Sequence, residues 1–235
     1  MSLLEVEDRI TITNIIDLCN QSFFTKDGID LLRDKNVIYL DKKDINLYFG
    51  ASELIFIITD SLAEDKINAI KVVRAKTEAF IITFCIGTFE DAEKESIEAV
   101  SKAIVIDESE TGNCIRFIAK INSLLNEPAT INFDYEDLIS AFRGKHHCWR
   151  VLDDLSSDDI KNSLEKELIG KNWVKVLSDN PGCMMLLIIS GDVSLTDVAY
   201  IAEIFTNDYY SDAIFAVDYD DSNKGKVSLF AVGSY

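Results

Sequence analysis

Two short runs without a polar face, Leu54–Thr59 (LIFIIT) and Phe80–Ile86 (FIITFCI), constrain the fold of this chain more than any other feature. A strand that is apolar on both faces must be covered on both, which places it inside a largely parallel sheet flanked by helices. The segment between the two runs supplies one such cover. Ala63–Glu78 carries Ile67, Ile70 and Val73 about one turn apart, the pattern of an amphipathic helix. The alternation extends in both directions. Arg9–Thr13 (RITIT) reads as a first strand, Ile15–Phe24 as a mixed helical segment and Val37–Leu40 as a strand. Asp91–Val100 reads as a helix, Ala103–Ile106 as a strand and Asn113–Leu125 (NCIRFIAKINSLL) as a strongly periodic helix. Strands alternating with helices predict an α/β arrangement.

The triplet Asn126–Pro128 breaks the last of these helices and marks the expected division into an N-terminal part, 1–128, and a C-terminal part, 129–235. In the second part, Asp134–Phe142 reads as helical, His146–Leu152 as extended, and Ser156–Ile169 as a helix stopped by Gly170. Cys183–Ser190 (CMMLLIIS) is a buried strand, and Ser194 caps a helix running to Phe205. Asp212–Asp218 and Lys226–Val232, joined by an Asp/Asn/Gly-rich turn, read as a hairpin.

A net charge of −18 argues against nucleic acid and anionic lipid as partners, since binding either depends on Lys and Arg replacing condensed counterions. No run of apolar residues is long enough to span a bilayer, and the N-terminus lacks a secretory signal pattern. Five scattered cysteines, with no C-x-x-C pair, read as free thiols in a reducing cytoplasm.

The candidate site is the segment Ile131–Leu138 (INFDYEDL), which sets Asn132, Asp134 and Asp137 at i, i+2 and i+5 before a helical pattern. One reading is a helix cap, with Asn132 or Asp134 accepting backbone N–H bonds and Asp137 favouring the helix dipole. The other is a loop presented to a partner subunit. Asp218, Asp220, Asp221 and Asn223 look superficially like a calcium loop, but Asn223 stands where glycine is needed and Leu229 where a bidentate Glu is needed. A solvated turn is the plainer reading. His146 and Cys148 could share one side of a strand, yet two ligands make no zinc site and no distal pair completes one. As a nucleophilic pair they need a geometry that spacing alone does not supply. The aromatic stretches Phe205–Tyr210 and Phe215–Tyr219 read as core plus rim, with Tyr209 and Tyr210 available to an interface.

The spacing N-x-D-x-x-D resembles the activating loop of the FtsZ/tubulin family, and the order of strand, core helix and loop over Ala103–Asp134 is similar to that family's. Met185–Phe205 resembles its strand, glycine turn and helix, and Val217–Tyr235 its closing hairpin. The likeness is good from about residue 100 onward, fair over 51–100 and poor before. It implies a truncated Rossmann-like N-terminal domain joined through a core helix to a C-terminal α+β domain with a mixed sheet. It also implies head-to-tail assembly, with GTP hydrolysed between subunits.

Family members carry a glycine-rich run after the strand matching Leu54–Thr59, because backbone N–H groups must approach the phosphates closely. Here that position reads DSLAEDKINA, and no two glycines anywhere lie closer than eight residues. Asp60, Glu64 and Asp65 would stand near the polyphosphate. At about 5 Å and an effective dielectric of about 20, each like-charged pair costs roughly 3 kcal/mol. The residues before Leu54 are also few for base- and ribose-binding elements.

The expectation is therefore a degenerate relative, a pseudo-GTPase with no cofactor and no resident metal, active through protein–protein association. Its partner would be an FtsZ-type subunit in cell division or a second copy of itself, with Asn132, Asp134 and Asp137 at the interface. The alternative is an enzyme: a divergent GTPase using GTP and Mg²⁺ with Asp134 and Asp137 catalytic, or a metal-dependent small-molecule enzyme. Because the sequence stops at Tyr235, directly after the last strand, a membrane-tethering tail is not expected.

Overall fold

The computed structural model describes residues 11–20, 24–35, 37–41, 52–89, 91–131, 133–168, 172–180, 182–208, 212–219 and 224–235. Its first sheet holds five parallel strands: β1 (Thr13–Asp17), β2 (Ile38–Asp41), β3 (Leu54–Thr59), β4 (Phe80–Ile86) and β5 (Lys102–Ile106). They lie in the order β2-β1-β3-β4-β5. The apolar run LIFIIT takes the middle place and is buried along its whole length. Helices α1 (Lys26–Asp34), α2 (Glu64–Lys76) and α3 (Asp91–Glu98) connect the strands. On the outer face, Ile70 and Val73 of α2 and Ile97 of α3 cover Ile55, Ile57 and Ile81.

The first strand departs from the expectation. It begins at Thr13, so the segment read as helical from Ile15 onward opens as strand. TNIID is buried at every position and bonded on both sides, Asn14 opposite Ile38 and Thr13 opposite Leu54. A two-sided ladder outweighs a weak 3.6-residue pattern. Arg9 and Ile10 lie outside the described residues.

Helix α4 (Thr111–Asn126) is the axis of the molecule. Eight of its residues are buried, among them Cys114, Phe117, Ile118 and Ile121, because it lies between two sheets and meets apolar surface on both sides. The Phe117 ring sits 6.0 Å from Phe84 of the first sheet, and 5.1 Å from Trp149 and 6.0 Å from Phe230 of the second. One continuous core thus runs from Phe56 through α4 to Leu186 and Val232.

The second sheet contains β6 (His147–Ser156), β7 (Met184–Gly191), β8 (Asp212–Tyr219) and β9 (Lys226–Ser234), in the order β6-β9-β7-β8. The expected hairpin does not form. β9 lies antiparallel between β6 and β7, while β8 runs parallel to β7 at the edge. Burial explains the exchange. β9 is buried almost throughout and needs a neighbour on each side, whereas β8 is exposed at both ends and tolerates an edge. Helix α5 (Tyr135–Ala141) follows α4, and α6 (Ile160–Leu168), α7 (Asn172–Asp179) and α8 (Leu195–Glu203) complete the second half. Leu164, Leu168, Val198 and Ile201 cover Leu187, Ile189 and Leu229 on the outer face. Helix α7 was not expected, since it spans two turns and follows a glycine that reads as a stop signal. Among the described residues no helix is long and apolar enough to cross a membrane.

Candidate functional site

All five strands of the first sheet point the same way, so the sheet has an N-terminal and a C-terminal edge, and α4 connects them. It starts beyond β5, after a turn capped by Asp107, and its sixteen residues span about 24 Å at ~1.5 Å per residue. Its last residue reaches the opposite edge. There Asn126 Oδ1 accepts from Thr11 N–H at 2.6 Å and Asn126 Nδ2 donates to Thr11 O at 3.1 Å, just ahead of β1.

The N-terminal edge carries the expected acidic segment. Asp134 is the N-cap of α5, its Oδ1 accepting from Asp137 N–H at 2.9 Å, while Asp137 Oδ2 accepts from Asp134 N–H at 3.2 Å. This reciprocal capping box uses one oxygen of each carboxylate and leaves each a second. The helix-cap reading of these residues is therefore correct as local structure. Asn132 lies outside the described residues. Tyr135 anchors the segment through its hydroxyl, which donates to Glu53 O at 2.6 Å immediately before β3. Thr11, Glu53, Leu125, Phe133 and Asp134 to Glu136 line a cleft of about 270 Å³. Its exposed carboxylates, Asp134 and Glu136, make it an acidic rim suited to cations or to a polar partner.

At the C-terminal edge the sheet order reverses between β1 and β3, the point where open parallel sheets leave a crevice for ligands. Here the crevice is bridged by protein groups. Asp60, directly after β3, accepts from Asn20 N–H at 2.8 Å and from the ammonium of Lys66. Burial alone would raise the Asp60 carboxyl, but the bonds from Lys66 and Asn20 hold it below its ordinary value. The Lys66 side chain is only 2% exposed. Asp17 at the end of β1 is also buried, accepting from Cys19 N–H at 2.9 Å. Burial, reinforced by the Asp17 carboxylate, pushes the Cys19 thiol well up, so it is no nucleophile.

Sequence reasoning missed Lys66. The signal was present, since a lysine in the first turn of a helix opposes the dipole that Glu64 and Asp65 suit, and such a residue needs a partner.

The remaining candidates disperse. His146 Nδ1 lies 2.9 Å from Oε1 of the buried Glu98, while burial pushes the Cys148 thiol up to about 11. The two therefore form no activated Cys–His pair. His147 has buried ring nitrogens, and burial, then the Lys102 charge, push it down to about 4. Asp218 is paired with Lys120 of α4, and Asp220, Asp221 and Asn223 lie outside the described residues, as do Tyr209 and Tyr210. Among the described residues no three His, Cys, Asp or Glu side chains converge as a metal site requires.

No protein-family model matches the sequence, and no curated protein sequence does. Solved structures do match. An empty FtsZ dimer from M. jannaschii superposes with a TM-score of 0.70 at 10% identity, covering 97% of this chain and 89% of that one. CetZ2 from Haloferax volcanii, a GTPγS-bound protofilament, gives 0.64 at 10% identity over 95% and 92% of the two chains. The GDP-bound CetZ1 monomer from the same organism gives 0.64 at 8% identity over 95% and 94%. The fold is thus FtsZ/tubulin-like, a Rossmann-like parallel sheet joined to a second, mixed sheet.

Proposed function

We propose that this protein acts by association with another tubulin-like subunit, an FtsZ-type filament subunit or a second copy of itself, and not by turning over GTP. The division near residues 126–128 separates an N-terminal part with a closed C-terminal edge from a C-terminal part that opens with the docking segment. The observation that carries this reading is the contrast between the two edges of the first sheet. At one, Asp134, Glu136 and Asp137 stand on a helix start anchored by Tyr135 and form an acidic rim. At the other, the Asn20 N–H and the Lys66 ammonium are engaged by Asp60, and no glycine run offers further backbone donors. Two of the similar structures are described as a dimer and a protofilament, so chains of this fold do assemble. A subunit able to dock through one edge and unable to receive nucleotide at the other would terminate or modulate a filament.

Charge separates the two partner classes. Copies carrying −18 each repel, so self-association should strengthen with added salt, whereas docking on a basic surface should weaken. The test is co-sedimentation with a GTP-assembled FtsZ, alongside light scattering of the protein alone at several concentrations. Altered polymer mass or self-association, lost on replacing Asp134 and Asp137 by Asn, is the expected result. An unchanged polymer together with a strictly monomeric protein would remove the proposal. So would micromolar binding of GTP with Mg²⁺ by calorimetry, which would favour the divergent GTPase.

A further inference from the structure

The donors at the C-terminal edge are present and occupied. Lys66 places an ammonium, almost fully out of water, at the start of α2, and Asn20 points a backbone N–H from the turn after β1. One carboxylate, that of Asp60, accepts from both, Oδ1 from Lys66 and Oδ2 from Asn20. A buried cation from the first turn of α2 and a backbone amide from the turn after β1 converge as the donor set by which proteins hold a small oxyanion. Both groups flank the point between β1 and β3 where the sheet order reverses, which is where ligands enter folds of this layout.

We infer that this edge holds a small oxyanion site filled by the chain's own Asp60 carboxylate, so that the two donors present without a glycine run are shut to outside anions by occupancy. The inference rests on the reading that the edge takes no nucleotide, and it supplies the means. Asp60 holds the turn after β1 to the start of α2, satisfies a charge that burial would otherwise strand, and presents a negative charge to any approaching phosphate. The class of ligand that fits the emptied site is a small carboxylate or phosphate with two oxygens to offer, since the two donors were bridged by a single planar group.

Chemical rescue tests it. Thermal unfolding is followed for the wild type, Asp60→Ala and Asp60→Ala/Lys66→Met, in sodium chloride and in sodium formate of equal ionic strength. Asp60→Ala strands the Lys66 charge and should lower Tm by roughly 5–10 °C in chloride. Formate should restore at least half of that loss with a saturable dependence, while shifting the wild type no more than chloride does. Lys66→Met in the same chain removes the stranded charge, so the double variant should regain stability in chloride and ignore formate. If Asp60→Ala accumulates only in formate, the inference is supported directly. If it does not accumulate at all, Asp60→Ser, which is small enough to leave room for formate and keeps a hydroxyl as a polar acceptor, should show a smaller loss with the same rescue. An Asp60→Ala chain as stable as the wild type, equal effects of formate and chloride, or formate rescue persisting with Met at position 66 would overturn it. A nucleotide titration of the wild type addresses the functional proposal alone, and its outcome leaves the formate result to stand or fall separately.

Discussion

Replacing His147 by Phe should flatten the pH dependence of stability between pH 6.5 and about 4. His147 opens β6 with its ring buried against Phe142, the ring centroids 5.3 Å apart. Burial, then the positive charge of Lys102 and to a smaller degree His146, disfavour its protonated form; the backbone of Phe142 and Ala103 favours it only weakly. The ordinary imidazole value of 6.5 therefore falls to about 4 on folding. Within that window the unfolded chain binds a proton that the folded chain refuses. The contribution to stability is complete above pH 6.5 and is lost as pH falls toward 4. A shift of this size corresponds to about 3 kcal/mol. Phenylalanine has a similar volume, suits the stack on Phe142 and binds no proton. Urea unfolding of both proteins at the two ends of the window gives the difference, in which the carboxylates common to both cancel. Relative to the variant, the wild type should lose about 3 kcal/mol more on acidification. Parallel stability curves would refute the reasoning and show that the ring reaches solvent or a proton acceptor.

Asp134→Ala should cost about 1 kcal/mol through loss of the α5 cap, whereas Asp134→Asn keeps an acceptor for Asp137 N–H and should stay within about 0.5 kcal/mol of the wild type. If the acidic rim is the docking surface, Asp134→Asn should nonetheless weaken association, which co-sedimentation reads separately from stability. Gly191→Ala should lose about 3 kcal/mol in the same urea assay. Its φ of +120° favours glycine, and an added Cβ would collide with the Lys226 carbonyl, forcing β9 away from the end of β7.

Much of the layout was legible because local physics carried it. LIFIIT and FIITFCI could satisfy two apolar faces only inside a covered parallel sheet, and there they lie as β3 and β4. The Ser194 cap and the Asp134–Asp137 box could be read from side chains that bond backbone within three residues of themselves. The mistakes fell where two elements compete for one partner. Ile15–Asp17 carried a mixed helical pattern and became strand because β2 and β3 flank it. The close sequence neighbours β8 and β9 separated because β7 offered β9 a buried place and β8 an exposed one.

The site divides along the same line. The acidic segment before α5 and the lack of a glycine run are properties of consecutive residues, so sequence alone determined them. That Asn126 bonds Thr11, that Tyr135 reaches Glu53, and that Asp60 bridges Asn20 and Lys66 were decided only by the tertiary structure. Each of these contacts joins a helix end to a segment beside a strand at one edge of a parallel sheet, and which segments share an edge depends on strand order. That order is set by burial across the whole sheet, a quantity no short stretch of residues contains.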